Sequence, residues 1–503
     1  MSFFCAHLDQ PTEQCLKLKV ECVPGRRGCV LRGKVTFLED PDKRVAARDP
    51  VKKRPVRPAK ANASAKAVGL ILALLAGALR GEAQTELDAL LAPEVPVWTL
   101  SADDFTAKFA PLGFRWTSET RDTARAGDEL FNLWGLPVYE ALVRFGPTGP
   151  RHLAFSVFNR GDAGDLDKPA FTSLLSRAYA QATAWAGGAK PTPVGEQMNL
   201  DGIRRQAVEW VRPPSRLRLL WSYSTKDAQG SFAYRAEYIR LESVPVATSP
   251  AGVAPGRPGA AKPAALSASG LRSRVRKAAG GDVVLDRVPM VDQGQKGYCV
   301  VAAAERVLRY YAVEVDQHEL AQLSASSAEE GTDPRKMMDG LKRVGTRLGL
   351  RIKVLEDFDF DDFLKLVDRY NSAAKRVKLP PLTYGHVVDV GALYEAMDPA
   401  VLREVRLKQQ GDFGRFKADV TGYTDRGFPL LWSVHLGKVP ETPALPQAGG
   451  GHMRLIIGYN PAQGEVLYSD SWGQGHELKR MKWEDAWTIT GGLYLVEPRN
   501  LAL

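Results

Sequence analysis

Gln293-Gly-Gln-Lys-Gly-Tyr-Cys299 runs directly into Val300-Val-Ala-Ala-Ala-Glu-Arg-Val-Leu-Arg-Tyr-Tyr311. The second segment has apolar residues at helical spacing, so the spacing predicts a helix with Cys299 at its mouth. Unpaired backbone N–H groups and the positive end of the helix dipole favour thiolate over thiol at that position. The plainer reading is a free cysteine packed as a small hydrophobe. Nucleophilic chemistry needs two further groups, a base for the thiol proton and a polar group to orient that base.

Both are found further along the chain. Gly451-His-Met-Arg-Leu-Ile-Ile-Gly-Tyr459 reads as a strand, Asn460-Pro-Ala-Gln-Gly464 as a turn, and Glu465-Val-Leu-Tyr-Ser-Asp470 as the next strand. An antiparallel hairpin would bring His452 and Asp470 together. That placement separates His452 from His152, His318, His386, His435 and His476, none of which has such a partner in sequence.

These residues resemble the papain-like cysteine peptidases in their chain order of Gln, Cys, His and Asn/Asp. Asp at 470, followed by Ser471-Trp472-Gly473, leans toward the bacterial branch that includes the double-glycine, bacteriocin-processing peptidases. Gly331-Thr-Asp-Pro-Arg-Lys-Met-Met-Asp-Gly-Leu-Lys-Arg343, a capped helix leading to the strand Leu348-Gly-Leu-Arg-Ile-Lys-Val354, adds to the likeness. The likeness covers about 285–360 and 428–497. The sequence departs from the family after the cysteine: Val300-Val301-Ala302 stands where the double-glycine branch commonly has Gly-Pro or Gly-x-Ala and the papain branch has Trp.

The resemblance implies a Cys299 nucleophile, His452 as general base and then acid, Asp470 holding the imidazole, and Trp472 shielding that hydrogen bond. The Gln293 side-chain amide and the Cys299 backbone N–H would form the oxyanion hole, and the six-residue offset selects Gln293 over Gln295. The implied reaction is amide hydrolysis of a peptide or protein through a thioester acyl-enzyme, without cofactor or metal. Acyl transfer to an amine, or cleavage of cell-wall peptides, would use the same site. A non-catalytic binding protein on a relic fold is the alternative from another class, although no member of the set is missing.

Upstream of this region the sequence suggests further parts. The chain has 503 residues with 44% hydrophobic and 25% charged, enough for two or more packed domains. Ala67–Leu79 is an apolar run of 13 residues, short of the roughly 20 that span a bilayer. Basic residues precede it and Gly81-Glu82-Ala83 follows, the pattern of a signal peptide cleaved after Ala83. The expectation is a secreted or periplasmic product without a stable membrane anchor, and a start codon placed too early for residues 1–50. Most of the net charge of +10 would then belong to the leader, because residues from Gln84 on carry 52 basic and 50 acidic side chains, a net of +2. Nothing there argues for nucleic acid, and only Cys299 of the five cysteines would remain.

The expected organisation is α+β throughout. Residues 84–245 form an N-terminal accessory domain, 246–280 a Pro/Ala/Gly-rich basic linker, and 281–503 the papain-like domain, with the Cys-bearing helix packed on an antiparallel sheet bearing His and Asp. In the accessory domain, strands are expected at Tyr139–Phe145, His152–Phe158, Arg216–Tyr223 and Ala233–Leu241, with a helix at Pro169–Trp185. No chemistry is legible there. Asp162–Asp167 has the look of a calcium loop, but Ser173 stands where a bidentate Glu belongs. Residues 371–425 read as an extra, partly helical excursion, and Asp357–Asp362 as a helix cap rather than a metal patch. One regulatory reading makes 84–245 an inhibitory pro-region, in contact with the catalytic domain until the chain is cut in Arg272–Lys277.

Overall fold

The structure, a computed structural model, describes residues 86–499 apart from 128, 195–197, 201–202, 227–231, 247–266, 295–296, 314–316, 324–333 and 386–387, together with the two-residue strands Leu8–Asp9, Gln14–Cys15 and Val20–Glu21. The leader expected at 51–83 lies outside the described residues. Among those described, no helix is long and apolar enough to cross a membrane. The chain divides into two compact units, 84–366 with 402–503, and 1–83 with 367–401.

Among the described residues the larger unit holds two large sheets, a two-stranded ribbon of Phe131–Leu133 with Leu136–Val138, and two separate hydrophobic cores. The first sheet contains β1 (Arg115–Trp116), β2 (Thr123–Ala126), β3 (Glu140–Gly146), β4 (Gly149–Asn159), β5 (Thr192–Pro193), β6 (Met198–Leu200), β7 (Ile203–Arg212), β8 (Ser215–Lys226) and β9 (Phe232–Pro245). Its order is β5-β7-β8-β9-β4-β3-β2-β1, with β6 paired to β7, and every pairing is antiparallel. Helix α1 (Lys168–Trp185) covers one face. Asp167 caps it by accepting from the Ala170 N–H at 2.8 Å, with a proline in the first turn. Asp167 thus ends the stretch with the look of a calcium loop by starting a helix, and no group of His, Cys, Asp or Glu among the described residues has a metal-binding arrangement.

The described part of the expected linker, residues 267–280, contains a short helix and a strand. Ser267 caps the short helix α2 (Ala268–Arg272), whose Leu271 is fully buried, and β10 (Val275–Lys277) pairs with β11 (Val283–Leu285). A single leucine anchors this part of the stretch, and the surrounding Ala, Pro, Gly and basic residues mask it in composition.

The second sheet is also antiparallel, in the order β10-β11-β14-β13-β17-β12. Its further members are β12 (Leu350–Glu356), β13 (Leu430–Leu436), β14 (Gly450–Asn460), β15 (Glu465–Ser469), β16 (Lys479–Lys482) and β17 (Thr490–Pro498), with β15 pairing β14 and β16. From His452 to Gly458, β14 is buried at every position, the signature of a central strand covered on both faces. Helix α3 (Cys299–Tyr310) is buried over nearly its whole circumference, including the charged Glu305 and Arg306, which are paired rather than left bare. The helices α4 (Gln317–Leu323) and α5 (Pro334–Leu348) follow it.

Helix α6 (Phe360–Arg376) starts behind Asp359, whose side chain accepts from the Asp362 N–H at 2.9 Å. Asp357 pairs with Arg335 at 3.1 Å and accepts the Tyr494 hydroxyl at 2.8 Å, so this acidic run does cap and brace. Within the partly helical stretch 371–425 lie two short helices, α7 (Val390–Ala396) and α8 (Pro399–Leu407), because Pro399 starts a new one after Asp398. Within the smaller unit, Asn371 bonds both backbone groups of Leu382, at 2.7 and 3.0 Å, and the Tyr370 hydroxyl accepts the Asp398 N–H at 2.7 Å. Helix α9 (Gln410–Thr424) is no surface excursion, since its Phe416 and Val420 lie in the core under the second sheet.

Candidate active site

Cys299 is the first residue of α3 and is half-buried, with Tyr298 as the N-cap. The helix start therefore delivers the thiol to the sheet with its own N–H groups around it. His452 comes from β14, opposite Val434 of β13, and Asp470 directly follows β15. The register Leu455↔Ser469 brings the two ends together, and His452 Nε2 lies 3.2 Å from Asp470 Oδ1, both side chains fully buried.

Cys299 and His452 perturb each other. Burial alone would raise the thiol pKa, but interaction with the His452 ring and with the backbone N–H groups of Met453 and Val300 lowers it below the ordinary value. Burial would lower the imidazole, and the hydrogen bond to Asp470 together with the interaction with Cys299 raise it instead. Asp470 takes Nε2, which leaves Nδ1 for the thiol. Nδ1 has no hydrogen bond of regular geometry, as is common in catalytic pairs before substrate arrives.

The thiolate–imidazolium form is populated between the lowered thiol pKa and the raised imidazole pKa. Below that window the thiol regains its proton, and above it the imidazolium loses one. A plot of kcat/KM against pH should therefore be bell-shaped. In Asp470→Asn the alkaline limb should move toward acid, because the group that raises His452 is weakened. An alkaline limb that stays in place would show that Asp470 does not set the imidazole's charge.

Asp470 is held from several sides. Arg454 Nε stands 2.7 Å from Oδ1 and Lys479 Nζ 3.5 Å from Oδ2. Burial would raise the Asp470 carboxyl, but Arg454, His452 and Lys479 outweigh it and hold the group far below the usual carboxylate range. Glu441 balances the two cations, at 2.8 and 3.0 Å from Arg454 and 3.1 Å from Lys479, and also accepts the Tyr468 hydroxyl. From α3, Arg306 donates to the Asp470 carbonyl at 2.7 Å and to Ser469 Oγ. The nucleophile's helix and the Asp470 end of the hairpin are thus tied by a charged side chain.

Trp472 lies flat on the His452 ring, with centroids 4.1 Å apart and planes within 4°. It covers the imidazole face rather than only the His–Asp bond, and its π-cloud favours the imidazolium. Gln293 is buried, and its backbone N–H donates to the Ser471 carbonyl at 2.8 Å. The Ser471 hydroxyl donates to Gln293 Oε1 at 2.6 Å, which fixes the amide's orientation and leaves its NH2 end as the donor. Gln295 and His386 lie outside the described residues. His318 is buried against Glu140 at 3.8 Å, and His476 comes within 4.0 Å of Asp470 at the rim of the site.

Sequence reading missed Arg306, Glu441, Arg454, Ser471 and Lys479. Arg454 left one signal: two residues after His452 on a strand, it shares that residue's face.

A cysteine at a helix start, facing a histidine and a buried aspartate on an antiparallel sheet, is the arrangement of the papain-like thiol hydrolases. Residues 285–495, which carry all of these groups, match the Peptidase_C39 like family. Residues 285–495 thus resemble the papain-like, double-glycine peptidase branch with its α+β fold, and this likeness supports a cysteine peptidase. Among solved structures, a double glycine motif protease from an AMS/PCAT transporter, in complex with the leader peptide, is similar at 12% identity, covering 42% of this chain and 92% of that one with a TM-score of 0.21. No curated protein sequence matches the chain.

Proposed function

We propose that the chain is an exported cysteine peptidase that hydrolyses peptide amides through a thioester acyl-enzyme. The observation that carries this reading is the placement of Cys299 at the start of α3 beside His452, whose Nε2 lies 3.2 Å from the buried Asp470, with the Gln293 amide oriented by Ser471. Cys299 Sγ attacks the scissile carbonyl carbon, and the negative oxygen accepts from the Gln293 NH2 and the Cys299 N–H. His452 gives its Nδ1 proton to the leaving amine, and the C–N bond breaks to leave the thioester. His452 then takes a proton from water, and the resulting hydroxide attacks the acyl carbon. The acid departs and the thiolate is restored.

Gly451 fits a peptide substrate. It has no left-handed φ, and no atom lies within 4 Å of where a Cβ would stand. Neither backbone conformation nor packing within the fold calls for glycine beside His452, which leaves room for a substrate backbone.

Gln293→Ala tests the oxyanion assignment. It should slow hydrolysis about 100–1000-fold, the cost of one such donor, while alkylation of Cys299 by iodoacetamide keeps its rate. Unchanged hydrolysis would remove Gln293 from the mechanism. Export rests on the apolar run Ala67–Leu79 and its flanks. The amino terminus of the isolated protein should be Gln84, and a product that retains residues 1–50 would overturn this part of the reading.

A further inference from the structure

Three segments of the site touch the first sheet or the loop between β1 and β2. Arg125 of β2 is buried, donates through Nε to Glu140 Oε2 at 2.9 Å and stands 3.9 Å from Asp292 through Nη1. Its guanidinium occupies space that two glycines leave open: a Cβ on Gly127 would fall 2.6 Å from Nη2, and one on Gly294 would fall 2.3 Å from it. Gly294 also has φ +66, and its N–H donates to Asp292 Oδ1 at 2.8 Å. Arg125 therefore lies against the turn that carries Gln293.

Tyr298, the residue before the nucleophile, is 1% exposed, and its hydroxyl donates to Asn159 Oδ1 at 2.9 Å. Its ring fills the place of a side chain at Gly161, where a Cβ would meet it at 2.2 Å. Asn159 is itself fixed, accepting the Gly161 N–H at 3.2 Å and donating to Asp162 at 3.1 Å. On the far side of the site, the Glu119 N–H donates to Glu477 Oε1 at 3.0 Å, and Glu477 Oε2 accepts the Gly475 N–H at 2.7 Å in the loop after Trp472. Arg144 reaches Glu305 of α3 at 3.7 Å.

We propose that the N-terminal sheet is a working part of the peptidase site, with Arg125 and Asn159 as positioning residues that hold the Gln293 turn and the start of the Cys299 helix in place. The inference rests on the peptidase reading and deepens it. It also reverses the sign of the inhibitory pro-region. These contacts brace the donor and nucleophile segments from behind, so weakening them lowers activity instead of releasing it. Arg125 acts through Gln293, and a displacement of about 1 Å in such a group costs about 100-fold.

The test uses the chain from Gln84 to Leu503 and a fluorogenic peptide ending in Gly-Gly-7-amido-4-methylcoumarin. Arg125→Met should lower kcat about 10–100-fold with KM within about twofold. The pH profile of Cys299 alkylation by iodoacetamide should stay in place, because the thiolate–imidazolium pair is untouched. In a Gln293→Ala background the same substitution should add less than about twofold, since coupled residues are not additive. Arg125→Lys should recover part of the rate.

Arg125→Met paired with Glu140→Gln removes both buried charges, and Tyr298→Phe removes only the bond to Asn159. They provide variants that keep the fold if the single change does not. Wild-type kcat in all three would overturn the proposal, as would a full additive loss in the Gln293→Ala background or a joint shift of the alkylation profile. Failure of the peptidase reading is distinct from all of these: wild-type hydrolysis would then survive Cys299→Ala.

Discussion

Cys299→Ala should lower kcat/KM by about 10⁶-fold, the size of loss in a serine hydrolase deprived of its nucleophile, while the fold is retained. The side chain is small and half-buried, so truncation leaves only a minor cavity. What is lost is the atom that forms the thioester in the proposed reaction, and no other free cysteine stands among the described residues. Turnover of the coumarin peptide and mass-spectrometric counting of iodoacetamide adducts measure the two sides of the prediction. Turnover equal to the wild-type rate would remove Cys299 from the chemistry.

The second large effect is on stability. Arg454 is fully buried between Asp470 and Glu441, with Tyr468 under its guanidinium at 4.7 Å. Arg454→Met keeps much of the packing and leaves two buried carboxylates short of a cation. Breaking a buried pair by removing one partner costs about 3–5 kcal/mol, a large share of the roughly 5–15 kcal/mol that holds a domain folded. The midpoint of urea unfolding should fall accordingly. Part of the loss should return when Glu441→Gln is added, because one uncompensated charge is then gone. A fall below about 1 kcal/mol would mean that the network is nearly neutral in net terms.

What the sequence made legible was local. Cys299 at a helix start could be read from residues 293–311, and the His452–Asp470 approach from a hairpin whose two arms lie a few residues apart. Periodicity also located four strands of the first sheet, β3, β4, β8 and β9, but not β7 (Ile203–Arg212), whose burial does not alternate along its length. The residues that set charge and orientation around the triad were not legible. Glu441 sits in a loop with no periodicity, and Ser471 carries a hydroxyl whose partner is a buried amide far earlier in the chain. Arg125 and Asn159 belong to a sheet whose sequence advertises only alternation. Their significance arises where that sheet meets the segment 292–298, a tertiary event that no local pattern encodes. The linker was overextended for a related reason: one buried leucine organises a stretch whose composition is otherwise featureless.

The position of Asp470 has a consequence for descent. The same carboxylate pairs with the His452 imidazole and neutralises Arg454 and Lys479 in the interior, so under the proposed mechanism catalysis and folding draw on one residue. A lineage that abandoned hydrolysis could discard Cys299, and after it His452, at little cost to the fold. It could not discard Asp470 on its own. Descendants that have lost activity should therefore keep the aspartate and its arginine long after the cysteine has drifted, and an intact Arg454–Asp470 pair is a marker of ancestry rather than of function.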